Sequence, residues 1–322
     1  MKRPVDPAAG ASPGERVELR ISKACRRRCV FCCEARGMRS GVKFMPIREA
    51  AGLMRAFKIK GAKHITFIGG EPTIHPHFRE IARLAKLMDY AVLLTTDGTG
   101  LAAPEFAGSV LPYIDELCLS IHWHDKKQAR LITNTDFAFG DAEAAFGNIR
   151  RFSRLKTFMC HSVFNRLNAP HFPKIIDYVL SLGKPDAFMV SQMIPWGRGL
   201  SAYNKLVMPM RALASVLPQI KESLDAAGCR MLVSGLPLCV LGKYAEYSND
   251  LRYSPRLVAQ RGRSWGAEDV MLLKKMDAPP LNRVKSGTCA LCGASASCCG
   301  VFKEYLRLYG DSELSPMRDA GR

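Results

Sequence analysis

Cys25-Arg26-Arg27-Arg28-Cys29-Val30-Phe31-Cys32 is the stretch around which the rest of this 322-residue chain is organised. Three cysteines at C-x3-C-x2-C spacing stand just after an apolar, alternating run, Val17–Ile21. Three thiolates can hold three irons of a 4Fe–4S cluster and leave the fourth iron open to a small molecule. A structural zinc site takes four ligands, usually in paired C-x2-C knuckles. Cys33 is a fourth thiol, but adjacent cysteines reach a single tetrahedral ion poorly. The spacing favours iron–sulfur.

Outward from the triad, short β-rich runs alternate with longer helical patterns. Strands are predicted at Val17–Ile21, His64–Ile68, Ala91–Thr95, Glu116–Ile121, Thr157–Phe164 and Ala187–Met193. Helical patterns fall at Ile47–Lys58, Phe78–Met88, Ala142–Phe152 and Phe172–Leu182. Such alternation implies an α/β fold with parallel strands joined by crossovers. Six strands predict a partial (β/α)6 barrel of the TIM type, with its site at the C-terminal strand ends. After Trp196-Gly197-Arg198-Gly199 the rhythm changes. A long helix is expected at Met208–Ala227 and a seventh strand at Arg230–Ser234, whereas Pro237 to Asn282 is basic and poorly periodic. The expected division is a barrel at 15–200 and a C-terminal extension at 201–322.

Three further motifs follow the triad in order. Gly69-Gly70-Glu71-Pro72 follows the second strand, Thr95-Thr96-Asp97-Gly98 ends the third, and Ser120 lies in the fourth. Together they resemble the radical S-adenosylmethionine (radical SAM) superfamily over roughly residues 15–200, with Asp97 where that family usually has Asn. The resemblance implies that Cys25, Cys29 and Cys32 hold a 4Fe–4S cluster whose open iron binds SAM. Reductive cleavage of SAM would then yield a 5′-deoxyadenosyl radical that abstracts hydrogen from a substrate carbon. It implies that Phe31 packs near adenine, that Ser120 contacts ribose or carboxylate, and that Met193 lies near adenine. Gly69 and Gly70 are expected to let backbone approach the methionyl amine, because glycine has no Cβ to block it. Glu71, Pro72 and their neighbours are expected to receive the ammonium.

The second cysteine group is Cys289-Ala290-Leu291-Cys292 followed by Cys298, a C-x2-C-x5-C spacing. A zinc knuckle is one reading. The other is a resemblance to the single-cluster Twitch form of the radical SAM auxiliary extensions; the seven-cysteine SPASM form does not fit. A fully ligated auxiliary cluster needs a fourth thiolate. Cys239, in Gly235-Leu236-Pro237-Leu238-Cys239, is the first choice and Cys299 the alternative. A third arrangement leaves one iron open to substrate. The expected cofactors are therefore SAM and two 4Fe–4S clusters.

Cys118, Ser120 and His122 share a face of the fourth strand, and Cys160 shares one with Ser162 in the fifth, because strand side chains alternate. A thiol in the interior could return a hydrogen atom to a substrate radical, and this makes Cys118 and Cys160 candidate catalytic residues. Small core residues are the plainer reading. Arg20 resembles an arginine that contacts substrate in the molybdenum-cofactor branch of the superfamily; a salt-bridged strand residue is the alternative. The histidines show no metal-ligand spacing.

Lys plus Arg number 47 against 29 Asp plus Glu, for a formal net charge of +18. Such a field favours anionic partners, including an anionic substrate and an acidic electron donor of the flavodoxin or ferredoxin type. No apolar run reaches the ~20 residues that span a bilayer, and no signal-peptide core opens the chain. A cytoplasmic enzyme without a membrane partner is expected. No nucleic-acid-binding motif accompanies the charge, although a zinc-stabilised nucleic-acid-binding protein is the different-class alternative that iron analysis separates. The substrate branches are a small metabolite (a sugar, nucleotide or related natural product) and a ribosomal peptide to be epimerised or crosslinked. Only about 16 residues precede the first strand, which leans towards the small molecule.

Overall fold

β1 (Arg16–Ser22) shows how the alternation is used. Val17, Leu19 and Ile21 are at most 1% exposed and enter the apolar core. Arg16, Glu18 and Arg20 alternate with them and therefore line the opposite, inward face. The remaining strands in chain order are β2 (His64–Gly69), β3 (Ala91–Thr96), β4 (Glu116–Ser120), β5 (Thr157–Phe164), β6 (Ala187–Gln192), β7 (Arg230–Ser234), β8 (Arg256–Arg263) and β9 (Asp269–Met276). The computed structural model describes residues 15–34, 43–253, 255–263, 269–276 and 282–317.

These strands form one sheet in the order β7-β6-β5-β4-β3-β2-β1-β8-β9. β1 to β8 run parallel and β9 turns back antiparallel to β8. The consecutive order of β1 to β7 is what successive right-handed crossovers produce. Among the described residues no ladder joins β7 to β8 or β9, so the sheet is a partial barrel and not a closed one. The six expected strands and β7 agree with the observed ones to within one residue at an end. β8 and β9 lie in the stretch read as poorly periodic, and the sheet therefore continues well past residue 200. Their charged residues hide the apolar alternation; β9 is the edge strand, where charge is favoured, and β8 lies between it and β1.

The crossover helices pack on the outer face. Phe67 of β2 meets Phe78 of the Phe78–Leu87 helix edge-on, at 5.8 Å between ring centroids. Burying such a ring contributes about 1.5–3 kcal/mol. The helix after β4, Lys126–Thr133, went unrecognised in the sequence. Asp125 caps its start by accepting the Gln128 N–H at 2.7 Å, and Asn134 ends it in the left-handed conformation. The expected helix at Ala142 begins earlier, at Ala138. The long helix spans Met210–Ala226.

The C-terminal extension is fastened to the barrel by buried polar contacts. β10 (Arg283–Val284) pairs antiparallel with β11 (Val301–Phe302). Arg283 reaches Asp250 at 2.7 Å, with 4% and 6% of the two side chains exposed. Asp250 in turn accepts from Ser234 Oγ and the Gly235 N–H at the end of β7. Among the described residues no helix is long and apolar enough to cross a membrane.

Candidate functional site

A cavity opens at the C-terminal ends of the parallel strands. Cys25, Cys29 and Cys32 line it together with Phe31, Gly69, Gly70 and Glu71. The triad loop is held by backbone hydrogen bonds to the Lys126–Thr133 helix, from Arg28 N to Thr133 O at 2.8 Å and from Val30 N to Ile132 O at 3.0 Å. The other side of the loop is gripped by the Trp196-Gly197-Arg198-Gly199 segment. Arg198 Nη1 donates to Cys29 O at 2.8 Å, and Arg198 N donates to Cys32 O at 2.9 Å. Gly197 has φ +58°, and a Cβ there would fall 2.4 Å from Cys33 O. Arg26 and Arg28 are exposed, while Arg27 points inward to Asp97 at 3.6 Å.

The glycines of Gly69-Gly70-Glu71-Pro72 serve the chain's own packing. A Cβ on Gly69 would lie 2.1 Å from Ser22 O, and one on Gly70 2.2 Å from Ala24 O. Gly70 N donates to Ser22 O at 2.6 Å and Glu71 N to Ala24 O at 2.7 Å. The end of β2 is thereby stitched to the segment that leads into the triad.

Glu71 is buried and its carboxylate is engaged within the protein. Oε1 accepts from Thr73 N at 2.9 Å and from the Thr73 and Thr96 hydroxyls, each at 2.6 Å. Oε2 accepts from Asp97 N at 2.7 Å. Burial first, and then the neighbouring Asp97 charge, pushes the Glu71 carboxyl above its ordinary range. The side chain expected to receive an ammonium is here a brace for the Thr95–Gly98 turn. Pro72 opens the short 3-10 turn behind it.

Burial favours the protonated thiol at Cys25 and Cys29. Burial pushes Cys29 up to about 12, helped by Cys32. Burial also raises Cys25, and Asp97 adds to the shift from 3.5 Å away. Metal binding to such thiols displaces protons. Three cysteines converge on one cavity beside a glycine-lined wall, a donor set that suits a three-thiolate 4Fe–4S cluster. The cysteines of a cubane ligate different irons, so they need not close on one point. Accordingly, no group of three or more His, Cys, Asp or Glu among the described residues is set to hold a single metal ion.

The remaining wall comes from β4 to β6. Ser120 lines it, as do His122, His161, Ser191 and Gln192. Phe31 packs edge-on against His122 at 4.8 Å. The Val163 N–H donates to His122 Nδ1 at 3.1 Å, which leaves the ring proton on Nε2. His161 Nε2 sits 2.7 Å from Ser191 Oγ. Burial lowers His161 to about 4 and holds His122 well below its ordinary value, so both imidazoles are neutral.

Other expected site residues lie elsewhere. Cys118 shares the inward face with Ser120 one layer deeper, but it does not line the cavity. Ser120 registers with His161, so Cys160 falls on the opposite face and is fully buried in the apolar core. Met193 is also a core residue, and Ile194 reaches the cavity in its place. Arg20 is held by Glu18 at 2.6 Å and by Glu34. The sequence does not single out His161, Ser191 or Gln192, because the face of β5 is decided by its register with β4 and that of β6 by its register with β5.

A second cavity gathers the late cysteines. Cys239, Cys289, Cys292 and Cys298 all line it, along with Leu314 to Met317. Cys299 is not among its lining residues; its charged neighbours are Asp250, Arg283 and Lys285. Two backbone amides aim at sulfur, Gly300 N at Cys298 Sγ and Met317 N at Cys292 Sγ, both at 3.3 Å. The Ser315 amide faces the Cys239 thiol.

The model of the radical SAM superfamily matches residues 19–179. The chain belongs to the radical SAM superfamily. A probable GTP 3′,8-cyclase of Methanocella arvoryzae is 30% identical over 228 residues, covering 67% of this chain and 68% of the relative. A probable GTP 3′,8-cyclase of Pyrococcus horikoshii is 30% identical over 123 residues, and the match spans 38% of each protein. Among solved structures, Streptococcus suis SuiB bound to S-adenosylmethionine superposes with a TM-score of 0.63 at 16% identity, over 96% of this chain and 76% of SuiB. SuiB bound to its precursor peptide SuiA gives 0.62 at 16% identity, over 97% and 76%. The radical SAM partial-barrel fold is thus established for this chain, and with it a 4Fe–4S cluster and SAM as the family's cofactors.

Proposed function

We propose that this enzyme uses the radical derived from SAM to take hydrogen from a carbon of a nucleotide-type small molecule. A further proposal is that an auxiliary 4Fe–4S cluster is held by Cys239, Cys289, Cys292 and Cys298. The observation that carries the reading is the first cavity, where Cys25, Cys29 and Cys32 open onto Phe31, Gly69–Glu71 and Ser120 together. The nucleotide class draws support from the GTP-cyclase relatives. The auxiliary cluster draws support from four thiols on one cavity.

Cys25, Cys29 and Cys32 would hold the SAM-binding cluster, which supplies the electron that opens the sulfonium. The chain's own groups orient and enclose. Phe31 and His122 present an apolar wall suited to adenine. Ser120 and the His161–Ser191 pair present hydrogen-bonding groups suited to ribose and carboxylate. Exposed Arg26 and Arg28 on the triad loop suit an acidic electron donor. Hydrogen abstraction of this kind would make the enzyme an oxidoreductase or a lyase of the radical SAM type.

The test is iron, sulfide and turnover after anaerobic reconstitution. About eight irons per chain should fall to about four in a Cys25/Cys29/Cys32→Ala variant. With a reductant and a panel of nucleoside triphosphates, 5′-deoxyadenosine should form and carry deuterium from labelled nucleotide. Deuterium transfer from peptides alone would overturn the nucleotide reading and move the enzyme to the peptide branch. About four irons falling to none would overturn the auxiliary cluster.

A further inference from the structure

We propose that residues 313–317 form a positioning strap for the auxiliary cluster, in which the Met317 amide bonds to the Cys292 sulfur, the Ser315 amide faces the cavity that Cys239 lines, and the two raise the cluster's reduction potential. This inference rests on the auxiliary-cluster reading above.

The strap is tied at both ends. Gly293 N donates to Met317 O at 2.8 Å, next to Cys292 itself. At the other end Glu313 reaches the first turn of the Met210–Ala226 helix. Met210 N donates to Glu313 Oε2 at 3.1 Å and Arg211 N to Oε1 at 3.0 Å. That helix starts after Pro209 and has no side-chain cap from its own sequence. Glu313 therefore caps it from a distance, and a carboxylate is the group a helix N-terminus favours. Tyr305, 1% exposed, donates its hydroxyl hydrogen bond to the same carboxylate. Leu314, 7% exposed, anchors the segment in the core.

Between these ties the backbone is aimed at sulfur. Met317 N reaches Cys292 Sγ at 3.3 Å, and the Ser315 amide faces Cys239. Pro316 between them has no N–H, so the two donors alternate without a competitor. A hydrogen bond to a ligating sulfur stabilises the more electron-rich state, and such bonds are among the factors that set cluster potentials. Cys298 receives its amide from Gly300, two residues along its own loop. Cys239 and Cys292 depend for theirs on a segment that follows the cysteine loop and is moored to the barrel. The potential is thereby linked to how firmly Glu313 holds the Met210–Ala226 helix.

The experiment uses the full chain with Cys25/Cys29/Cys32→Ala, so that only the auxiliary cluster reports. Iron content comes first: a parent without iron refutes the cluster reading, and the strap falls with it. With about four irons bound, the midpoint potential is followed by electron paramagnetic resonance. Ser315→Pro and Met317→Pro each delete one amide donor, and Met317→Leu keeps it. Both proline variants should shift to more negative potential while Met317→Leu matches the parent. Glu313→Ala unties the strap without touching an amide and should shift the potential the same way, with faster iron loss to a chelator. An iron-loaded Glu313→Ala or proline variant at the parental potential overturns the proposal.

Discussion

The Glu71 carboxylate accepts the Asp97 backbone N–H at 2.7 Å, and this bond ties the GGEP turn to the turn after β3 beside the cysteine triad. The same carboxylate takes three further donors from Thr73 and Thr96. A glutamine in its place turns an N–H toward at least one of those donors. Leaving buried groups so mismatched costs about 1–3 kcal/mol. Glu71→Gln should fold, retain its iron, and bind SAM roughly tenfold more weakly, the equivalent of about 1.4 kcal/mol. Equilibrium titration of the reconstituted protein with SAM measures this. Unchanged affinity would show that the Thr95–Gly98 turn needs no brace.

Gly197 and Arg198 act on the triad from behind. A Cβ at Gly197 would strike Cys33 O at 2.4 Å, in a backbone region with φ +58° that L side chains seldom adopt. Gly197→Ala should loosen the triad loop and selectively lower iron at Cys25, Cys29 and Cys32. Arg198→Met removes the bond to Cys29 O and should do the same more mildly. Iron counts of both variants, with and without Cys25/Cys29/Cys32→Ala, separate the two sites. Full iron occupancy in Gly197→Ala would refute the constraint.

How much of this could be read from the sequence follows the range of the contacts. The triad and Gly69-Gly70-Glu71-Pro72 are local patterns, so their place at strand ends was legible. Glu71's task was not, because Thr96 and Asp97 lie 25 and 26 residues away. Trp196-Gly197-Arg198-Gly199 was visible only as a change of rhythm, since its partner Cys29 is 169 residues distant. Alternation correctly grouped Cys160 with Ser162. It could not say which face looked inward until β5 was registered on β4, where Ser120 meets His161. Its place after β7 singles out Cys239 in the sequence, and the structure sets it on the cavity with Cys289, Cys292 and Cys298.

Asp250 and Arg283 fasten the extension to the end of β7. Both are almost fully buried, and each has other partners: Ser234 and Gly235 for Asp250, Gly300 O for Arg283. Removing one partner strands a buried charge and costs about 3–5 kcal/mol. Asp250→Asn and Arg283→Met should each destabilise on that scale in anaerobic denaturant unfolding. The double variant should lose clearly less than the sum of the two, because neither charge is then left alone. Strict additivity would show that the pair does not act as a unit.

His161 supplies a pH dependence whose sign is fixed by its environment. Burial lowers its pKa from 6.5 to about 4, so the folded protein binds fewer protons there than the unfolded chain does. Stability is fully present above 6.5 and falls as pH drops towards 4. Across the whole window the loss is on the order of 3 kcal/mol. His122, lowered in the same way, adds a parallel loss. In anaerobic unfolding between pH 7.5 and 5.5, stability should decline for the wild-type protein and less steeply for His161→Gln. Comparing the two cancels any acid sensitivity of the clusters that both share. Parallel curves would mean that His161 gains a proton as readily in the folded protein as in the unfolded chain, and that its bond to Ser191 does not depend on a neutral ring.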